Sequence, residues 1–137
     1  MSSVVLDASA VLAFVLEEKG SDVVESRMNG ALMSAVNYSE VLKKSIERGG
    51  SAGVTRVLIS RAQIEVVPFD EPQATVAAAL FSTTRDKGLS FADRACLALG
   101  IEMNAVVYTA DQRLADSGAT VEVKLIRQRT KQKARPQ

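Results

Sequence analysis

The chain has 137 residues, of which 47% are hydrophobic and 24% charged, with one cysteine and no histidine. This length and composition predict one domain with a sizeable core, and no apolar run is long enough to cross a membrane. Catalysis by serine or cysteine paired with histidine is excluded, as are zinc sites built from histidine or from four cysteines. Carboxylates and hydroxyls remain as the reactive groups.

Short apolar runs alternate with amphipathic segments, which predicts strands alternating with helices. This alternation predicts an α/β fold, a three-layer α/β/α sandwich with a mainly parallel central sheet. In chain order we expect a strand at 4–6, helices at 8–16 and 22–28, a strand at 31–33, helices at 35–48 and 51–62, a strand at 64–67, helices at 72–84 and 90–103, a strand at 105–108, a helical turn at 112–115 and a strand at 120–125.

Two acidic residues lie where predicted strands end. Asp7 directly follows the strand at 4–6, and Asp111 follows the strand at 105–108 after two small residues. Ligands of parallel sheets bind beyond the carboxyl ends of the strands, so the two acids share one rim if these strands are neighbours. Ser9 and Thr109 place a hydroxyl beside each acid. Either acid could instead only cap the helix that follows it.

Two further acids lie on predicted helices. Asp93 follows Ser90 by three residues, which is also the spacing of a capping box. Glu40 has Lys44 one helical turn later, and an ordinary surface ion pair accounts for it equally well. Taken together, however, four carboxylates form an oxygen-only set that suits Mg²⁺ or Mn²⁺. The apolar stripe predicted for the helix of Glu40 lies on the opposite face and consists of Tyr38, Val41, Leu42, Ser45 and Ile46.

The basic residues are concentrated at the C-terminus. Residues 124–137 carry six basic groups and no acid, which leaves 11 basic and 16 acidic residues in 1–123. We therefore expect a domain at 1–125 and a flexible basic tail at 126–137. The tail is either a solvated terminus or a contact to an anionic partner. Because there is one cysteine and no signal-peptide pattern, we expect a cytoplasmic protein without a membrane segment.

Four segments in this order resemble one protein family, and they span most of the chain. The segments are residues 4–10 (VVLDASA), 34–41 (SAVNYSEV), 89–99 (LSFADRACLAL) and 107–111 (VYTAD). Their combination is similar to the PIN domain, and specifically to the VapC-type toxin ribonucleases of type II toxin–antitoxin systems.

The resemblance implies a role for each matching polar residue. The sequence departs from the family pattern at two places. Phe91-Ala92 stands where such sequences often carry an apolar residue and then Gly, and Gln112 stands where Arg is frequent. Neither departure removes a carboxylate. The catalytic and metal-binding acids are Asp7, Glu40, Asp93 and Asp111, and the supporting residues are Ser9, Asn37 and Thr109.

The resemblance also implies the activity and the partners. We expect a Mg²⁺- or Mn²⁺-dependent endoribonuclease, the toxin of a toxin–antitoxin pair, that hydrolyses RNA to 5′-phosphate and 3′-hydroxyl ends. A cognate antitoxin and a homodimer are expected partners, with a docking surface near the helices at 8–16 and 22–28. Since the body is acidic, Arg94, Arg113 and the tail are the candidates for contacts to RNA phosphates.

Three alternatives remain open at the level of the sequence. A non-catalytic PIN scaffold would act as a binding module, although such chains normally lose one or more acids. A metal-dependent DNA nuclease could use the same four carboxylates. A phosphatase of the haloacid dehalogenase type also places Asp after its first strand, but it requires a second Asp where Ser9 stands.

Overall fold

The computed structural model of the chain describes residues 3–128, in which strands and helices alternate in the predicted order. The strands are Val4–Leu6 (β1), Leu32–Ser34 (β2), Glu65–Val67 (β3), Val106–Thr109 (β4) and Val123–Leu125 (β5). The helices are Ala8–Val15 (α1), Ser21–Arg27 (α2), Ala35–Glu47 (α3), Ala52–Arg61 (α4), Glu71–Thr84 (α5), Phe91–Glu102 (α6) and Gln112–Ala115 (α7), with a 3₁₀ turn at Arg85–Lys87 before α6.

The five strands form one parallel sheet in the order β3-β2-β1-β4-β5. Strand β1 therefore lies at the centre, between β2 and β4, and Leu6 is in register with Tyr108 of β4. The prediction of a mainly parallel sheet is confirmed. Because β1 and β4 are parallel neighbours, the residues that follow them emerge at the same rim.

Apolar side chains cover both faces of this sheet, because successive residues of a strand point to opposite sides. Leu6 packs with Val11 of α1 and Val24 of α2 on one face. Val5, the preceding residue, packs with Leu97 of α6 on the other face. Helices thus lie on both sides of the strands, which confirms the three-layer α/β/α sandwich.

Helix α6 lies unusually close to the sheet at Gly100. A Cβ atom at this position would lie 2.7 Å from Cγ2 of Val107 in β4, which is closer than van der Waals contact allows. Glycine is therefore required for this close helix–strand approach. The N-terminal end of the same helix lies at the rim of the sheet.

The buried face of α3 differs from the predicted apolar stripe. Asn37, Val41 and Ser45 are buried, whereas Ile46 is 58% exposed. The polar Asn37 can be buried because its amide forms two hydrogen bonds to backbone groups. The prediction that Ile46 belongs to the packed face was wrong, since side-chain hydrogen bonding and not hydrophobicity alone determines how this helix is rotated.

The packed body continues beyond residue 125. Ile126 is buried in the same cluster as Leu6, and Nη1 of Arg127 donates a hydrogen bond to the carbonyl of Lys19 at 2.9 Å. Residues 129–137 of the basic tail lie outside the described residues, so the flexibility of the tail stays a prediction. Within residues 3–128, the structure contains no helix with the length and apolar character of a membrane span.

Candidate active site

The carboxyl ends of β1 and β4 place Asp7 and Asp111 at one rim of the sheet. The backbone N–H of Asp7 donates to the carbonyl of Tyr108 at 3.2 Å, which fixes the end of β1 against β4. Asp7 is only 5% exposed, whereas the Asp111 side chain lies nearer the surface with a quarter of its area exposed. Because β1 and β4 are parallel neighbours, the condition under which the two acids share one rim is met.

The Asp7 carboxylate is held by both neighbouring hydroxyls. Its Oδ1 accepts hydrogen bonds from Oγ of Ser9 at 2.7 Å and from the N–H of Ala10 at 2.8 Å, while Oδ2 accepts from Oγ1 of Thr109 at 2.5 Å. The bond from Ala10 makes Asp7 the N-cap of α1 as well. Capping and a role at the rim are therefore compatible, because one carboxylate does both.

The same hydroxyls connect Asp7 to the chain leading into Asp111. Oγ of Ser9 accepts from the N–H of Ala110 at 2.8 Å, and Oγ1 of Thr109 accepts from the N–H of Asp111 at 2.9 Å. The two hydroxyl oxygens are themselves 3.2 Å apart. Ser9 and Thr109 therefore lock the loop after β4 onto the loop after β1.

Burial makes Asp7 an unusually weak acid. The net pKa of Asp7 is raised to about 6, chiefly by desolvation. The hydrogen bonds from Thr109, Ala10 and Ser9 offset part of this rise, and the charge of Asp93 adds to it. Burial also raises the pKa of the Cys96 thiol, and the charges of Asp7 and Asp93 reinforce this shift. Cys96 is therefore a neutral thiol and not a nucleophile.

Asp93 lies in the first turn of α6 and forms a complete capping box with Ser90. The N–H of Ser90 donates to Oδ2 of Asp93 at 2.9 Å, and the N–H of Asp93 donates to Oγ of Ser90 at 3.2 Å. The capping interpretation of this residue is confirmed, and its charge also acts on Asp7. The capping box fixes the position of the carboxylate relative to α6.

Asn37 joins the starts of two helices at the rim. Its Oδ1 accepts from the N–H of Ala8, directly after Asp7, at 3.1 Å, and its Nδ2 donates to the carbonyl of Ala92, directly before Asp93, at 3.1 Å. Asn37 is 2% exposed. One buried amide on α3 therefore sets the positions of both carboxylate-bearing turns.

Replacing Asn37 with Ala is expected to destabilise the protein by about 2 kcal/mol, because the buried N–H of Ala8 would lose its hydrogen-bond acceptor and the link from α3 to Ala92 would be lost. Urea unfolding measures the change. Asn29→Ala serves as the matched control at an exposed turn position, where a change within about 0.5 kcal/mol is expected. Equal effects of the two substitutions would contradict the bridging role.

Glu40 and Asp111 are each paired with a basic side chain. Nζ of Lys44 lies 3.1 Å from Oε1 of Glu40. The Arg113 guanidinium donates to both oxygens of Asp111, from Nη2 at 2.9 Å and from Nε at 3.3 Å. Partial burial alone would raise the pKa of Asp111, but the bonds and charge of Arg113 and the charge of Lys44 hold it below the usual value.

The two arginines predicted to contact RNA also hold the segment before Asp93. Nη1 of Arg113 donates to the carbonyl of Gly88 at 3.1 Å, and Nη1 of Arg94 donates to the carbonyl of Leu89 at 3.2 Å. Each arginine thus has a structural role at this rim. A role of either side chain toward RNA stays a prediction.

The four acids at the rim divide into two sets according to their partners. Among residues 3–128, no three acidic, cysteine or histidine side chains converge closely enough to hold a metal ion as they stand. The charge of Asp93 acts on Asp7, whereas Glu40 is paired with Lys44 and Asp111 with Arg113. Mg²⁺ commonly binds through one or two carboxylates while keeping several waters, so Asp7 and Asp93 fit its chemistry.

The sequence analysis missed one feature of this rim. The ring of Phe91, two residues before Asp93, packs against the ring of Phe69. Phe91 was noted only as a departure from the family pattern. Its partner lies 22 positions earlier in the chain, before α5, so nothing local in the sequence indicates the pair.

The chain belongs to the PIN domain family, whose model matches residues 4–119. This match confirms the resemblance based on the four segments. No curated protein matches the chain by sequence.

Solved structures share the fold at low sequence identity. A chain of a toxin–antitoxin complex from Klebsiella pneumoniae has a TM-score of 0.74 at 15% identity, covering 91% of this chain and 98% of that one. VapC20 of Mycobacterium tuberculosis, a sarcin–ricin loop cleaving toxin, has a TM-score of 0.73 at 14% identity, with coverages of 86% and 97%. FitAcB from Neisseria gonorrhoeae has a TM-score of 0.65 at 21% identity, with coverages of 88% and 95%.

Proposed function

We propose that the protein is a Mg²⁺- or Mn²⁺-dependent endoribonuclease and the toxin of a toxin–antitoxin pair. The observation that carries this proposal is the buried Asp7 carboxylate, oriented by Ser9 and Thr109 at the sheet rim and close enough to Asp93 for their charges to interact. A buried, partly desolvated acid with a like-charged neighbour is costly for the fold and is typical of a functional site. Membership of the PIN family and the structural similarity to VapC20, a sarcin–ricin loop cleaving toxin, support the choice of nuclease and of RNA.

Asp7 and Asp93 are the residues that would hold the cation. When bound there, the cation lowers the pKa of water and neutralises charge on the scissile phosphate. Ser9 and Thr109 orient the Asp7 carboxylate, and Asn37 holds the turns of both acids in position. Glu40 and Asp111 would contribute to the cation site through a bridging water, or directly once their carboxylates are released from Lys44 and Arg113. Hydrolysis by water leaves a 5′-phosphate and a 3′-hydroxyl, and it requires neither histidine nor the RNA 2′-hydroxyl.

The choice of RNA over DNA is tested by digestion of two single-stranded oligonucleotides with the same base sequence. We expect cleavage of the RNA in Mn²⁺ or Mg²⁺ and none in EDTA. Cleavage of only the DNA would favour the DNA nuclease alternative. Binding of RNA without cleavage of either polymer would favour the non-catalytic scaffold.

Adding Mn²⁺ to the metal-free protein is expected to raise its melting temperature by several degrees. A ligand that binds only the folded state at about 100 times its Kd contributes about 2.7 kcal/mol. Scanning calorimetry measures the shift, with Asp7→Asn as the control that should not respond. A similar rise in both proteins would place the ion elsewhere, and no rise in the wild type would contradict the metal site.

The expected partners are an antitoxin and a second copy of the chain. The toxin–antitoxin complex from Klebsiella pneumoniae, which contains a chain with the same fold, supports the first. Half-buried apolar side chains on α1 and α2, including Phe14, Val15 and Val23, lie on the surface that we assign to the antitoxin. Residues 8–16 and 22–28 remain the predicted docking region.

A further inference from the structure

An edge-to-face pair of phenylalanine rings lies at the start of α6. The ring centroids of Phe69 and Phe91 are 5.5 Å apart and the ring planes are at 88°. Phe91 is nevertheless 52% exposed. Contact with Phe69 restricts the orientation of the Phe91 ring, so Phe91 presents a preorganised aromatic surface to solvent.

This surface adjoins the candidate active site. Phe91 is the first residue of α6 and Asp93 is the third, so the two positions differ by about 3 Å along the helix axis. Asn37 holds the intervening Ala92 through its carbonyl. Phe91 therefore lies at the same end of α6 as Asp93, although on a different side of the helix, because residues two positions apart do not face each other.

Charged residues of both signs flank the two rings in the sequence, with Asp70 and Glu71 after Phe69 and with Arg85, Asp86 and Lys87 before Phe91. Arg85 and Lys87 are exposed in the 3₁₀ turn before α6, and neither forms a salt bridge to any residue within 3–128. Arg113 lies against Gly88 in the segment that follows this turn. Exposed cationic side chains and an exposed aromatic ring in one segment of the chain are two components of surfaces that bind single-stranded nucleic acid.

A second exposed ring offers a comparison. Phe81 is 53% exposed, close to the value for Phe91. The Arg94 guanidinium, however, lies over the Phe81 ring at 5.5 Å from its centroid. This cation–π contact covers a face of Phe81, whereas Phe91 has only its neighbour Phe69 as an aromatic contact.

We propose that Phe91, supported by Phe69, stacks on an unpaired nucleobase of the RNA next to the scissile phosphate. The inference rests on the proposed nuclease function and adds a base-binding subsite to it. Because every base has an aromatic face, such a contact contributes affinity and places the strand with little preference for sequence. The acids then act on the phosphate that the stacked base brings to the rim.

The test measures binding of a fluorescent single-stranded RNA to full-length protein carrying Asp7→Asn, which prevents cleavage during the measurement. Adding Phe91→Ala is expected to weaken the Kd at least about fivefold. Phe91→Tyr should keep the affinity within about twofold, and Phe91→Leu should behave like Ala because it retains apolar bulk without an aromatic face. Phe81→Ala, which removes an equally exposed ring, should remain within about twofold.

The outcomes separate this inference from the proposed function. Unchanged affinity in Phe91→Ala, or full affinity in Phe91→Leu, would overturn the stacking contact while metal-dependent cleavage by the wild type leaves the nuclease intact. A changed oligomeric state by light scattering with unchanged RNA affinity would overturn it in favour of a second protein copy. Failure of every variant, and of the wild type, to bind RNA would overturn both.

Discussion

Replacing Asp7 with Asn is expected to reduce RNA cleavage at least about a hundredfold. Loss of a hydrogen-bonding partner behind a metal ligand typically costs 10- to 100-fold, and loss of a ligand charge should cost no less. The fold should survive, because Asn is as good an N-cap as Asp and its carbonyl can accept the bonds from Ser9 and Ala10.

The measurement is the rate of cleavage of one labelled single-stranded RNA in Mn²⁺. Asp22→Asn provides a control acid that is exposed in the first turn of α2, and its rate should equal that of the wild type. Cleavage that survives in Asp7→Asn would remove this carboxylate from the mechanism.

The same substitution is expected to raise the stability of the metal-free protein at neutral pH. The pKa of Asp7 is about 6 in the folded protein against 3.8 for the free side chain. Since the folded state holds the proton more tightly, the contribution of Asp7 to stability falls as pH rises from about 4 through about 6, and it stays low above that. A shift of roughly two pKa units corresponds to about 3 kcal/mol.

Urea unfolding in EDTA, at pH 4 and at pH 7.5, measures this effect. The difference between Asp7→Asn and the wild type should grow from near zero at pH 4 to as much as about 3 kcal/mol at pH 7.5. Asp111, whose pKa is lowered, makes the opposite contribution to the pH dependence of stability. Because Asp111 is present in both proteins, its contribution cancels in the comparison. A difference that does not change with pH would show that the burial of Asp7 carries no such cost.

Much of the rim follows from local sequence. Asp7 and Asp111 are predictable because each follows a short apolar strand, and a parallel sheet brings such strand ends to one edge. Ser9 is two residues after Asp7, so its bond to that acid is a local pattern, whereas Thr109 is two residues before Asp111 and yet donates to Asp7, from β4 to the end of β1. The capping of α6 by Ser90 and the pair between Glu40 and Lys44 are also local patterns, and both are present.

The remaining features depend on how the helices are rotated and packed. Asn37 bridges Ala8 and Ala92 only because α3 turns its polar Asn37 inward and leaves Ile46 exposed. The spacing of apolar residues predicts which face of a helix is buried from hydrophobicity alone, and it takes no account of buried hydrogen bonds. The contact between Phe69 and Phe91 requires the chain before α5 to return to the start of α6, which no periodicity indicates.

The pairing of Arg113 with Asp111 changes how the four acids are understood. The sequence analysis treated them as one cluster, with Arg113 as a possible RNA contact. In the structure Arg113 binds both oxygens of Asp111 and also the Gly88 carbonyl. The rim thus holds Asp7 and Asp93, whose charges interact, together with two acids that have cationic partners.

The most direct test of the proposed function is cleavage of a labelled total-RNA pool by the purified full-length protein, in Mn²⁺ and in EDTA. We predict discrete fragments with 5′-phosphate and 3′-hydroxyl ends that appear only with the metal and are absent with Asp7→Asn. Fragments with 2′,3′-cyclic phosphate ends, or equal cleavage in EDTA, would contradict a carboxylate-held metal. No cleavage by antitoxin-free protein in Mn²⁺ would contradict the nuclease itself.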